Sequence, residues 1–253
     1  MTRPELWVVP AGTVPYRRAW AWQRELVTRR AAGEIPDTVL LLEHPHVYTI
    51  TRRGGESEVL LPREMLAAQG AEVVVTDRGG KATYHGPGQL VGYPIALLGR
   101  APDLRAWVSS IQDALVGLAA DYGVRARPGH GDLTGVWVGD PPDDRKLAAI
   151  GMRVARRVTM HGFALNCSTE LERFNAIVPC GLPDKGVCSL SSELGRPVTV
   201  ADALPVAVAH LARSLDRAPV TVDLATLDLP AEDYWPPEPT PRPAPAAATE
   251  TRA

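Results

Sequence analysis

The chain has 253 residues, 45% of them hydrophobic and 22% charged, the balance of a soluble globular protein with one large or two small domains. A formal charge of -2 gives no basic footprint for nucleic acid, and no apolar run approaches the roughly 20 residues of a membrane span. The N-terminus lacks the apolar stretch of a secretory signal. Three cysteines (Cys167, Cys180 and Cys188) are too few and too odd for a disulfide framework, so a reducing cytoplasm is expected.

In chain order, Trp20 to Arg30 reads as an amphipathic helix ending near Gly33. Thr38 to Glu43 is a short apolar run followed by Pro45, which reads as a buried strand, and Val47 to Ile50 continues in that style. Pro62 to Gln69 has proline at a first helical position and Gly70 just past its end, a helix signature. Ala71 to Val75 predicts a strand leading into a glycine-rich loop, and Leu90 to Leu98 a strand leaving it. Asp103 to Tyr122 carries apolar residues at helical spacing (Leu104, Trp107, Ile111, Leu115, Leu118) and stops at Gly123. Strands are expected at Thr134–Val138, Lys146–Val154 and Val158–Asn166, with a turn-rich acidic tip between the first two, and Val200 to Leu215 closes with an amphipathic helix. This order has hairpin-like neighbours and few βαβ repeats, so it predicts an α+β fold with a mixed, largely antiparallel sheet. From Pro236 onward six prolines alternate with small and polar residues, which predicts a disordered, extended tail.

Chemistry-bearing residues gather in few places. Arg78 to Pro94 packs five glycines and two prolines around Arg78, Thr83, His85 and Gln89, a composition that lets main chain lie against a ligand. Cys180, in Ile177-Val-Pro-Cys-Gly181, is displayed between proline and glycine; such a sulfur can be a nucleophile or simply a buried structural thiol. A thiol with an ordinary pKa is only a few per cent thiolate at neutral pH, so a nucleophile needs a partner. Lys146 places one cation at the mouth of an apolar strand, where it can be a base or an ordinary surface lysine. His85 and His161 each fit a general base, an orienting group or a half-buried histidine satisfied by backbone. His44 and His46 flank a proline and lack a third nearby ligand, so no zinc site is expected, and neither Walker nor Rossmann glycine spacing occurs.

Taken together, Leu42-Glu-His-Pro-x-Val-Tyr-Thr49, Arg78-Gly-Gly-x-x-Thr-Tyr-His-Gly-Pro-Gly-Gln89, Lys146-Leu-Ala-Ala-Ile-Gly151, His161-Gly-Phe-Ala-Leu-Asn166 and Ile177-Val-Pro-Cys-Gly181 closely resemble the lipoyl(octanoyl) transferases, over roughly residues 5 to 220. The resemblance implies the fold of biotin and lipoyl protein ligase catalytic domains for residues 1–220, with 221–253 as a C-terminal extension. It implies transfer of an octanoyl or lipoyl group from acyl carrier protein to a lysine of lipoyl domains, those of the 2-oxoacid dehydrogenase complexes and the glycine cleavage H protein. It implies Cys180 and Lys146 as the nucleophile and acid/base dyad, an acyl-cysteine thioester, and neither metal nor other cofactor. By the same resemblance Arg78, Gly79, Gly80, Lys81, Ala82, Thr83, Tyr84 and His85 line the acyl pocket together with Ala149, Ile150 and Gly151 and with Gly162, Phe163 and Ala164. His46 stands where the family commonly has proline, and Cys188 where it has threonine or serine. A cytoplasmic monomer is expected, because each partner protein must reach an open site. An ATP-dependent ligase on the same fold and a non-catalytic acyl-binding protein are the alternatives from other classes.

Overall fold

The computed structural model describes residues 2–51, 56–99, 103–178 and 185–236. Cys180 and Gly181, the Arg52–Arg53 pair and the tail beyond 236 lie outside the described residues.

Every side chain from Thr38 to Leu42 is buried, and alternation explains why: Val39 and Leu41 pack into one apolar layer, Leu40 and Leu42 into another. Around this run the described residues form, in chain order, β1 (Glu5–Thr13), α1 (Tyr16–Ala32), β2 (Asp37–Glu43), β3 (Val47–Thr51), α2 (Arg63–Ala68), β4 (Glu72–Thr76), β5 (Thr83–His85), β6 (Gln89–Ile95), α3 (Leu104–Asp121), β7 (Ala126–Gly129), β8 (Gly135–Val138), β9 (Arg145–Ala155), β10 (Val158–Asn166), β11 (Gly186–Val187), α4 (Leu190–Leu194), α5 (Val200–Ser214) and β12 (Ala218–Thr221). Nine strands make one sheet in the order β12-β1-β2-β6-β10-β9-β8-β7, with β11 alongside β9. Its centre is antiparallel; β1 pairs in parallel with β2 and β12, and β11 with β9. Helices α3 and α5 cover one face and α1 the other. A small sheet, β4-β3-β5, has its own core of Tyr48, Ile50, Leu66, Ala82, Tyr84 and Phe174.

The fold is thus α+β with a mixed sheet, as the element order predicts. Helix α1 begins earlier than expected, at Tyr16 after Pro15, where no side chain caps it and the sequence carries no capping signal. Strand β1 is unexpected because it contains Pro10 and Gly12; both sit at a register shift, where a strand tolerates them. Hairpin β9–β10 turns through Arg156 and Arg157, both at positive φ, the geometry that suits two-residue hairpin loops. Residues after β12 return along α1, where the Trp22 indole donates to the Pro230 carbonyl at 2.9 Å and Tyr234 stands edge-on to Trp20 at 4.8 Å.

Candidate active site

Leaving β4, the chain turns back across β9 with almost no space to spare. The Gly79 N–H donates to the Met152 carbonyl at 3.1 Å. A Cβ on Gly79 would stand 2.8 Å from that oxygen, and one on Gly151 would stand 2.6 Å from the Gly79 carbonyl. Only glycine at both positions lets the two main chains touch. The loop is tied to β3 by Arg78, whose guanidinium donates to the Thr49 hydroxyl and carbonyl at 2.8–3.1 Å and to the carbonyls of Gly79 and Lys81.

The facing wall is the β9–β10 hairpin. Its register sets Ala149 opposite Ala164, Ile150 opposite Phe163 and Gly151 opposite Gly162, so two sequence segments expected to line one pocket are cross-strand partners. The tip of the Phe163 ring abuts Gly92 of β6, where an added Cβ would come within 2.2 Å of it. Loop and hairpin enclose a cavity of about 330 Å³, at the lower end of the range for small-ligand sites. Arg78, Gly79, Gly80, Lys81, Thr83, His85, Lys146 and both hairpin segments line it. Ala82 and Tyr84 do not: strand alternation turns both into the small-sheet core, where the Tyr84 hydroxyl meets Nδ1 of His46 at 2.7 Å. Tyr16, Tyr93, Met152, His161 and Thr134 also face the cavity, with Leu104 and Val108 of α3 at one side. Leu104 and Val108 are spaced i, i+4 and so share a helix face, a signal that reads as core until the cavity beneath is seen.

Lys146 reaches this cavity because of a bulge. Trp137 of β8 pairs with Lys146 and Val136 with Ala148, leaving Leu147 as the extra residue on β9, an arrangement that re-aims side chains. The lysine is 6% exposed, and its Nζ lies 4.6 Å from the centroid of the Trp137 ring. Its backbone is held from the other side too, since Val187 pairs with Lys146 and the Cys188 N–H donates to the Lys146 carbonyl at 3.0 Å. Upstream of Cys180, Val178 donates to the Glu58 carbonyl at 2.9 Å; downstream, Gly186 pairs with Arg145. The described ends of that segment are therefore anchored on the small sheet's side and next to Lys146.

Three histidines beside the cavity are bonded into the fold. Nδ1 of His85 donates to Oε1 of Gln89 at 2.7 Å, Nε2 of Gln89 to Oδ1 of Asn166 at 2.8 Å, and Nδ2 of Asn166 to the Cys188 carbonyl at 2.9 Å. The chain of donors runs one way and fixes the His85 tautomer, with the proton on Nδ1. Burial, then the neighbouring His44, hold its pKa well below the usual histidine value. His44 donates from Nδ1 to the Val14 carbonyl at 2.6 Å and accepts from the Tyr93 hydroxyl at 2.7 Å; burial lowers its pKa to about 4. His161, at φ +56°, donates from Nε2 to Asp77 at 2.8 Å, while burial and the Arg78 and Arg153 charges lower its pKa to about 3. Burial pushes the thiols of Cys167 and Cys188 up to about 12, so neither offers a thiolate near neutral pH. Among the described residues no three His, Cys, Asp or Glu side chains gather as metal ligands would, and no helix is long and apolar enough to cross a membrane.

With this geometry in view, comparison with known proteins is informative. The sequence matches the lipoyl protein ligase A/B catalytic domain over residues 15–212. It is 52% identical over 217 residues to an octanoyltransferase of Acidothermus cellulolyticus, covering 82% of this chain and 94% of that one. It is 51% identical over 214 residues to an octanoyltransferase of Salinispora tropica, covering 83% and 96%. The fold resembles a bi-partite lipoate protein ligase from Thermoplasma acidophilum, described with its E2 lipoyl domain, at a TM-score of 0.71 and 15% identity over 87% of this chain and 88% of that one. The chain belongs to the lipoyl protein ligase A/B catalytic-domain family and, within it, to the octanoyltransferases.

Proposed function

We propose that the protein moves an octanoyl group from acyl carrier protein to a lysine of a lipoyl domain by way of an acyl-Cys180 thioester, with Lys146 as the acid and base. The observation that carries this reading is Lys146, a buried amine aimed by a bulge into a cavity with one apolar side, formed by Ala149, Ile150, Gly151, Gly162, Phe163 and Ala164. An apolar slot suits a fatty chain, worth roughly 0.8 kcal/mol for each methylene it buries.

In the first half-reaction Nζ of Lys146 takes the Cys180 proton and the thiolate adds to the thioester carbonyl. The carrier thiolate leaves, is reprotonated from Lys146, and acyl-Cys180 remains. One thioester replaces another, so the step asks for positioning more than driving force. In the second, the acceptor lysine's neutral amine attacks that thioester, Lys146 accepts its proton, and the proton passes to the departing Cys180 thiolate. An amide forms from a thioester, which is downhill, so no ATP enters. A backbone amide at Gly181 or in the Tyr84–Gly86 region holds each oxyanion. His85 is neutral and carries its one proton on the nitrogen bonded to Gln89, so it supplies no proton to the reaction. Lipoyl domains of 2-oxoacid dehydrogenase complexes and the glycine cleavage H protein are the acceptors, and the enzyme works as a cytoplasmic monomer.

Incubation with octanoyl-acyl carrier protein is the test. The expected result is a mass gain of one octanoyl group on the wild type and none as a labile thioester on C180S, followed by loss of the adduct when a lipoyl domain is added. Transfer from free octanoate that requires ATP would replace this reading with a ligase, and octanoate binding without any adduct would replace it with an acyl-binding protein.

A further inference from the structure

In the proposed proton transfer Lys146 becomes a cation where cations are disfavoured. It is 6% exposed, its main chain is fixed between β8 and β11, and a buried ammonium without compensation is costly. Against it the fold sets an aromatic face. Nζ stands 4.6 Å from the Trp137 centroid, inside the distance at which a ring quadrupole attracts a cation. Trp137 is 1% exposed, so both partners are removed from water, the condition under which that attraction is largest.

The contact is assembled by several independent features. The β9 bulge at Leu147 brings Lys146 opposite Trp137. Gly135, at φ +147°, lets β8 lie close against β9, since a Cβ there would lie 2.6 Å from the Ala148 carbonyl, with Lys146 Cε in ordinary contact at 3.4 Å. The indole itself cannot swing away. Its Nε1 donates to the Leu133 carbonyl at 2.6 Å, and it lies over Gly129, where a Cβ would stand 2.5 Å from that nitrogen. Gln112 of α3 locks the flanking backbone by donating to the carbonyls of Gly129 and Gly135 at 2.6 and 2.9 Å.

We infer that Trp137 is a positioning residue for the reaction: its face holds the Lys146 ammonium that forms when the Cys180 proton moves to Nζ, and thereby sets how much reactive thiolate the site contains. This rests on the Cys180–Lys146 pairing proposed above. The proton transfer is internal, Sγ–H to Nζ, and leaves a thiolate and an ammonium; the ring stabilises only the product of that transfer.

Alkylation of Cys180 by iodoacetamide reads the thiolate directly and needs no acyl donor, with C180S as the blank. W137F is expected to slow alkylation severalfold and W137L by about tenfold to thirtyfold, the range for a desolvated cation–aromatic contact. Because W137L also empties a packed site, a second measurement carries the weight. Biosynthetic replacement of all six tryptophans by mono-, di- and trifluorotryptophan drains charge from the ring face with little change of shape. The rate should fall stepwise with each fluorine in the wild type and stay flat in the same series on a W137F background. A flat series in the wild type, or equal slopes in both backgrounds, overturns the inference. If octanoyl transfer proceeds while the fluorine series is flat, the inference alone fails; if transfer requires ATP while the series remains graded, the transferase reading alone fails.

Discussion

The two walls of the cavity look opposite in sequence and behave opposite to appearance. The loop wall, Arg78 to His85, is dense in residues that catalyse reactions elsewhere, yet two of them, Arg78 and His85, are bonded into the fold. Arg78 is spread over Thr49 and the loop's own carbonyls, and His85 is neutral and bonded to Gln89. The hairpin wall is mostly small and apolar; of its two polar side chains at the cavity, His161 is neutral and bonded to Asp77, while Lys146 is delivered by a bulge. Polar density therefore marks where a fold needs internal hydrogen bonds to hold a loop against a sheet. In the proposed mechanism reactivity belongs instead to a side chain that a rigid strand aims at the cavity.

The largest expected effect tests this contrast head-on. K146A should lower octanoyl transfer by about 10²- to 10⁴-fold, the usual scale for losing a general acid–base, with the melting temperature little changed. H85Q keeps a polar group of similar reach and should cost less than about tenfold, since a neutral histidine supplies no proton there. Steady-state transfer assays on both variants decide it. If H85Q falls as far as K146A, the loop wall is chemical after all.

A second, smaller effect concerns the shape of the slot. G92A would set a Cβ within 2.2 Å of the Phe163 ring, which lines the cavity. The ring should tilt inward and shorten the slot. At roughly 0.8 kcal/mol per methylene, excluding one or two carbons should shift preference from octanoyl toward hexanoyl donors by about fourfold to fifteenfold. Competition between the two acyl carrier proteins measures it, and an unchanged ratio would remove Phe163 from the walls that set chain length.

These contrasts explain what could be read before the fold was known. Long periodic runs such as Asp103–Tyr122 and Val158–Asn166 are legible because burial on one face or two repeats along them. Strands β5, β7, β11 and β12 are not, since two to four residues carry no period and owe their form to the strand beside them. Resemblance put the loop and both hairpin segments at one pocket, and all but Ala82 and Tyr84 do face one cavity. Those two were lost to strand alternation, visible only once β5 is recognised as a strand. Trp137 is illegible for another reason: in Thr134–Val138 it reads as an ordinary core aromatic, and its partner is set by a bulge that no local pattern announces.

The smallest effect falls on stability and separates buried histidines from a titrating site. His44, His85 and His161 are held neutral in the folded protein, with His44 at about 4 and His161 at about 3, because burial disfavours their charged forms. In the unfolded chain each protonates near pH 6.5. Below that value the unfolded state binds more protons than the folded one, so stability is full above about pH 6.5 and is lost as pH falls. The loss from His44 levels off below about 4 and that from His161 below about 3. Each histidine adds at most about 1.4 kcal/mol per pH unit to the slope. Urea denaturation from pH 7.5 to 5 should show this slope, and H44Q should reduce it by one histidine's share while leaving the pH dependence of octanoyl transfer in place. If H44Q instead moves the transfer profile, the histidine layer is coupled to the Lys146 wall, and the separation between the two walls fails.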